Sequence, residues 1–212
     1  MARPIDPSHR AFWDERYGND PAPFGNAPNA FLVQMAPRLQ KGDAFLAADG
    51  QGRNGLWLAG QGFRVVIQDL SQTALDHARR NAEGLGVAVE LRQGDLTETG
   101  PEEGAYDLVA IIFCHLPPQA RRTVHAKLQR ALKPGGKLVL EAFSKAQLTM
   151  QPLHNSGGPR SEEALFSAAD IRDDFAALTP LVCEEVETDL AEGRFHNGRA
   201  AVVRALFEKP AT

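Results

Sequence analysis

The 212-residue chain predicts an α/β fold built on a mostly parallel, doubly wound sheet that ends in an antiparallel β-hairpin. Three observations carry that expectation. Apolar, strand-like runs alternate with helical stretches from Phe45 to Phe143, as in a chain of βαβ units. A glycine-rich turn, Asp49-Gly50-Gln51-Gly52-Arg53-Asn54-Gly55, follows the first run. The last two runs, Leu181–Asp189 and Arg199–Glu208, are joined by too few residues for a crossover helix, so they pair antiparallel.

Residues 1–8 carry two prolines and read as a loose arm. His9–Gly18 is an amphipathic helix with Phe12, Trp13, Arg16 and Tyr17 at helical spacings, and residues 1–29 together read as an arm or lid on a single 212-residue domain. Asn19–Asn29 is a loop, and Ala30–Leu39 a helix with Phe31, Leu32, Met35 and Leu39 on one face. The first strand is Phe45–Ala48, followed by the glycine turn, a short helix from Leu56 to Ala59, and a second strand over Phe63–Ile67 that stops at Asp69. Ser71 caps a helix running to about Glu83, which Gly84 and Gly86 end. Val87–Leu91 is the third strand and precedes Gly94-Asp95-Leu96. Asp107–Phe113 is apolar throughout, as a strand buried on both faces requires. Pro118 opens a helix over Gln119–Leu132, Lys133-Pro134-Gly135-Gly136 ends it, and Lys137–Phe143 is the fifth strand. Residues 144–160 read as loop, and Ala168–Leu178 as a helix.

Bulk properties narrow the function. Hydrophobic content of 43% and charged content of 24% are those of an ordinary globular chain. The net charge of −4 argues against a nucleic-acid partner. Two cysteines without a pairing framework suit a reducing compartment. The N-terminus lacks the apolar region of a signal peptide and no run reaches the ~18 residues of a membrane span, so a cytoplasmic protein with a small-molecule partner is expected. The sequence is silent on oligomeric state, and no metal site is expected.

The chemistry sits in the strand–turn–helix–strand unit. Glycines let the backbone turn sharply and approach a ligand closely, and the following helix presents free N–H groups. An acid at the tip of the second strand can accept from both hydroxyls of a ribose. Asp69 stands there, seventeen residues after Gly52. The string Gly50-x-Gly52-x-x-Gly55 serves nicotinamide and S-adenosylmethionine enzymes alike. Five strands plus a hairpin, the acid Asp95 after the third strand, and the Lys-Pro-Gly-Gly turn before the fifth favour S-adenosylmethionine (SAM).

With those residues in place, the chain resembles the Rossmann-like class I SAM-dependent methyltransferases. More closely it resembles the tellurite-resistance (TehB-like) group and its relatives near the thiopurine methyltransferases. The carrying segments are Phe12-Trp13-Asp14-Glu15-Arg16-Tyr17, the Gly-x-Gly-Arg-Asn turn at 50–54, Ile112-Phe113-Cys114-His115-Leu116-Pro117-Pro118, and Gly157-Gly158-Pro159-Arg160. One departure stands out: the family's acid two residues before the first glycine is here Ala48, with Asp49 one place later.

The resemblance implies a SAM site, with S-adenosylhomocysteine (SAH) as product. It assigns the site to Trp13, Tyr17, Asp49, Gly50, Gln51, Gly52, Asn54, Asp69, Leu70, Gly94, Asp95, Leu96, Phe113 and His115. Asp69 would hold the ribose, Asp95 and Leu96 the adenine. His115, Arg194 and His196 are the candidate catalytic residues, with His115 orienting the acceptor. Arg160, Arg194, His196 and Arg199 form a cationic lip for an anionic acceptor, or else a solvated loop paired with Glu192 and Asp189. Glu141 faces the substrate or ties the arm in place. The acceptor class implied is a chalcogen oxyanion or a thiol. The alternatives are an NAD-dependent oxidoreductase and a non-catalytic SAM- or nucleotide-binding module.

Overall fold

The computed structural model describes residues 7–211. The expectation for the first six residues lies outside them. Helix α1 (Pro7–Asn19) leads to a loop and to helix α2 (Ala30–Met35), which a 3-10 turn at Ala36–Arg38 ends early because Pro37 cannot continue it. Strands β1 (Asp43–Ala47) and β2 (Arg64–Asp69) flank helix α3 (Arg53–Gly60). Helix α4 (Gln72–Leu85) follows, capped by the Ser71 hydroxyl and ended by Gly86 at φ 66°. Then come β3 (Val89–Gln93), β4 (Tyr106–Ile112), α5 (Pro118–Ala131) and β5 (Leu132–Phe143). Helix α6 (Gln147–His154) occupies a stretch expected as loop, with Pro152 inside it. Helix α7 (Ala168–Asp174) starts on a reciprocal capping box between Ser167 and Asp170. The hairpin is β6 (Thr179–Ala191) and β7 (Asn197–Glu208).

The seven strands lie in the order β3-β2-β1-β4-β5-β7-β6. The first five are parallel, and β7 pairs antiparallel with both β5 and β6. This is the expected mostly parallel sheet with a terminal antiparallel hairpin.

Successive residues of the central strands feed opposite cores. Phe45, Val109, Ile111, Leu138 and Leu140 pack with α5 and α7. Ala44, Leu46, Leu108, Ala110 and Val139 pack with α2, α3 and α4. Each fully buried Leu, Ile or Phe contributes roughly 1.5–3 kcal/mol, so a sheet covered on both faces is the stable outcome of these continuous apolar runs. A third cluster of Phe143, Leu165, Leu190, Ala200 and Val202 sits where β5 meets the hairpin. The outer strand β6 carries Glu184, Glu185, Glu187 and Asp189, charges that discourage edge-to-edge pairing. Among the described residues no helix is long and apolar enough to cross a membrane.

The order in which successive strands join the sheet reverses between β1 and β4. In open α/β sheets a crevice opens at the carboxyl ends of the strands at such a point.

Candidate functional site

A cavity of about 640 Å³ lies at that point. This is within the range of about 300–1,000 Å³ typical of small-molecule sites. One side is built from the glycine turn. Strand β1 gives way to Ala48, which adopts a left-handed φ of 54°, and Gly50 and Gly52 follow at 56° and 84°. A side chain at Gly50 would collide with the Tyr17 hydroxyl, its Cβ falling 2.0 Å away, so the turn and α1 can meet only at glycine.

Gly52 offers no side chain to cap α3. Asp49 replaces it: one carboxylate oxygen accepts from the Gly55 N–H at 2.8 Å and the other from Asn54 Nδ2 at 2.7 Å. Burial raises the Asp49 carboxyl to about 6, against the opposing pull of those two bonds. Ala48, in the place of the family's acid, lines the cavity as well.

Asp69, the last residue of β2, is buried, and burial raises its carboxyl. It accepts from the Gly50 N–H and from the Ser71 N–H, both at 2.8 Å, so it joins the second strand to the glycine turn. Asp95 accepts through one oxygen from the Thr97 N–H and hydroxyl, both at 2.8 Å. Its other oxygen has no protein partner among the described residues. Gln51, Asn54, Leu70, Gly94 and Leu96 complete this side of the lining, with Asp49, Asp69 and Asp95. Gly50 and Gly52 shape the turn without lining the cavity.

Helix α1 covers the cavity through Trp13 and Tyr17. It is pinned to the start of α4, where Asp14 accepts from the Ser71 hydroxyl at 2.6 Å, and His77 Nε2 meets the Tyr17 carbonyl at 3.0 Å.

The opposite side comes from three loops. Phe113, just past β4, also adopts a left-handed φ, 52°. Such a conformation is strained for a bulky residue. It sets the ring 4.7 Å from Phe143 and 4.3 Å from His196. His196 stands 4.7 Å from Phe24 and 5.2 Å from Phe143, its Nδ1 buried without a partner among the described residues. Burial, with help from Arg53, drives its pKa well below the usual histidine value.

His115 lines the cavity, but its geometry corrects the expectation that it orients an acceptor. Its Nδ1 lies 2.7 Å from the Ala164 carbonyl, and its Nε2 accepts from the Phe143 N–H at 3.2 Å. Both nitrogens are committed to backbone. Burial lowers its pKa to about 4, leaving a neutral bridge between β5 and the loop before α7.

Arg194 is also corrected. It lines a shallow adjoining pocket with Glu15 and Asp20, its guanidinium over the Phe195 ring, and does not reach the main cavity. Arg199 pairs with Glu187 and Asp189 in solvent, outside any lip. Arg160 does line the cavity.

Arg16 is the residue that charge reasoning passed over. It lines the cavity, stacks on Phe12 and Phe195, and has no carboxylate partner among the described residues. Phe24 and Phe195 were equally hidden, since only the fold brings residues 24 and 195 together. Glu141 does not face the cavity. It is fully buried, accepting from Arg204 at 2.8 Å and from Asn29, so it ties in the segment ahead of α2.

This arrangement fits SAM. A buried acid at the tip of β2, a second acid with a free oxygen beyond β3, apolar Leu70 and Leu96, and a turn kept free of Cβ atoms meet in one cavity of suitable size.

Comparisons with known proteins agree. The family described as "Methyltransferase domain" matches residues 47–136. A thiopurine S-methyltransferase of Pseudomonas putida (strain GB-1) is 32% identical over 149 residues, covering 59% of this chain and 67% of the relative. The next curated relatives are matched over only 38% and 39% of their length. A solved structure described as "Conversion of a Disulfide Bond into a Thioacetal Group during Echinomycin Biosynthesis" superposes with a TM-score of 0.79 at 22% identity, over 96% of this chain and 92% of that one. TehB from Haemophilus influenzae superposes with a TM-score of 0.71 at 16% identity, over 94% of this chain and 66% of that one. The fold is theirs, the methyl donor is SAM, and the oxidoreductase alternative has no support among these relatives. The chain belongs to the class I SAM-dependent methyltransferases, in the family of its thiopurine S-methyltransferase relative.

Proposed function

We propose that this methyltransferase acts on a small, soft acceptor that arrives already anionic, such as a thiolate or a chalcogen oxyanion. One observation carries the reading: among the described residues the acceptor side has cations without carboxylate partners, and its buried His115, His196 and Cys114 are poorly suited to act as bases. Arg16 and Arg160 line it, both without carboxylate partners among the described residues. His115 has no free nitrogen, and His196 is held neutral in an aromatic surround as a weak base. Burial pushes the Cys114 thiol to about 12, which makes it a poor nucleophile or base. A neutral alcohol would need a base here; a pre-ionised nucleophile needs only position and charge complementarity.

The cofactor, when bound, supplies an electrophilic methyl group on a sulfonium. Asp69 would hold the ribose hydroxyls, Asp95 the adenine amino group, and Leu70 and Leu96 the adenine faces. The glycine turn and Asn54 would lie against the methionine end. Trp13, Tyr17 and Phe113 would exclude water around the sulfonium and favour its charge by cation–π contact. Arg16 and Arg160 would draw in and orient the acceptor.

The name of one relative, a thiopurine S-methyltransferase, supports a sulfur acceptor as the first to try, and the sequence resemblance to the tellurite-resistance group adds tellurite. The test is methyl transfer from labelled SAM to low-pKa thiols, selenite, tellurite, primary alcohols and amines. Transfer to the soft anions and none to the alcohols is expected. Preferred transfer to alcohols or amines would contradict the reading.

A further inference from the structure

We propose that Glu192 is a positioning residue that locks the acceptor-side hairpin turn to the glycine turn, so that the two halves of the cavity are set together. The proposal rests on the site reading above. Glu192 lies in the turn between β6 and β7, and is buried. One of its oxygens accepts from Arg53 Nη2 at 2.7 Å; the other accepts from Asn29 Nδ2 at 2.8 Å and from the Ala30 N–H at 3.3 Å. Its own N–H donates to the His196 carbonyl at 2.7 Å, holding the residue that closes the aromatic wall.

Arg53 is the first residue of α3, directly after Gly52. Asn29 donates its N–H to Asn54 Oδ1 at 2.8 Å, and Asn54 in turn donates to Asp49. A continuous polar path therefore runs from the glycine turn to the hairpin through groups almost sealed from water.

Two glycines bring the backbones close enough for it. A Cβ at Gly193 would fall 2.1 Å from the Gly25 nitrogen. A buried ion pair is seldom more stabilising than apolar residues of the same volume. One carboxylate that gathers three donors from two segments distant from its own turn therefore supplies registry rather than bulk stability. The Arg-Asn pair of the turn thereby gains a role that cofactor contact alone does not explain.

Hydrogen exchange on the full chain, with and without saturating SAH, tests this. In the wild type SAH is expected to slow exchange at 48–55 and also at 192–197. The apolar double variant R53M/E192M, checked for a cooperative unfolding transition, is expected to keep the first effect. It should lose about tenfold of the second, mid-range for coupled sites. E192Q keeps the side-chain volume and one acceptor oxygen, and is read in the same way should the double variant fail to fold. Undiminished protection of 192–197 in the variants would overturn the proposal, as would wild-type protection confined to 48–55. No effect of SAH anywhere in the wild type would instead overturn the cofactor-site reading, and the coupling with it.

Discussion

The two sides of the cavity are built by different means. The cofactor side is local and rests on backbone: Asp49, Gly50, Gly52 and Asn54 lie within six residues, and Asp69 reaches back to the Gly50 N–H at 2.8 Å. The acceptor side is assembled from residues 24, 113, 143, 160 and 196, which share no segment and meet through rings and facing glycines. A site of the first kind tolerates change elsewhere in the fold, whereas one of the second kind depends on how distant loops pack. Substrate preference can thus drift while the cofactor is retained, because function follows the loops rather than the fold.

The comparison breaks most sharply at Gly193. An alanine there would force the hairpin turn off Gly25 and would also sit at a φ of 77°. Displacement of the aromatic wall by about 1 Å is expected to cut turnover roughly a hundredfold. SAM affinity, measured by calorimetry, should fall far less than turnover.

The converse is Asp69→Ala. It would remove the proposed ribose partner and untie the Gly50 N–H, so SAM affinity should drop more than about tenfold, as expected for hydrogen bonds to a charged group. Unchanged affinity in calorimetry would remove Asp69 from the cofactor site.

A smaller effect distinguishes the two buried titrating groups. The His115 pKa is lowered to about 4 in the folded protein. The unfolded chain therefore takes up the proton first, and stability is lost as pH falls from about 6.5 toward 4. His115→Gln lacks that loss. The stability gap between wild type and variant should close by up to about 3 kcal/mol over this window in urea unfolding. A constant gap would mean that His115 titrates normally. Asp49, raised to about 6, has the opposite sign and opposes this loss in wild type and variant alike.

The smallest change is expected at Arg199→Ala. Its pairs with Glu187 and Asp189 are exposed, so stability should move by less than about 0.5 kcal/mol. Turnover should be unaffected. A marked loss of turnover would restore Arg199 to the acceptor lip.

The same division explains what could be read in the chain. Strand, glycine turn, helix and terminal acid were legible because each depends on near neighbours: Ser71 caps its own helix, Gly86 ends it, and the apolar run into β4 needs burial on both faces. The terminal hairpin was legible because a short connection leaves no room for a crossover. Helix α6 was obscured by Pro152 and by the glycines that follow it. The left-handed Phe113 carries no signature, since nothing in its residue type asks for that conformation.

Arg16 and Arg194 could not be ranked from charge alone. Both guanidiniums stack on Phe195, and it is the placement of α1 over the cavity that brings Arg16 into it. Glu192 looked like a solvated loop acid because its partner Arg53 lies 139 residues away in sequence.

The central claim is that the acceptor, not the enzyme, supplies the ionised nucleophile. The most direct measurement is the pH dependence of kcat/KM for two thiol acceptors of well-separated pKa. The expected result is an inflection that moves with the thiol, at the pKa of each acceptor. An inflection at one fixed pH for both would reveal a titrating base on the enzyme and contradict the claim.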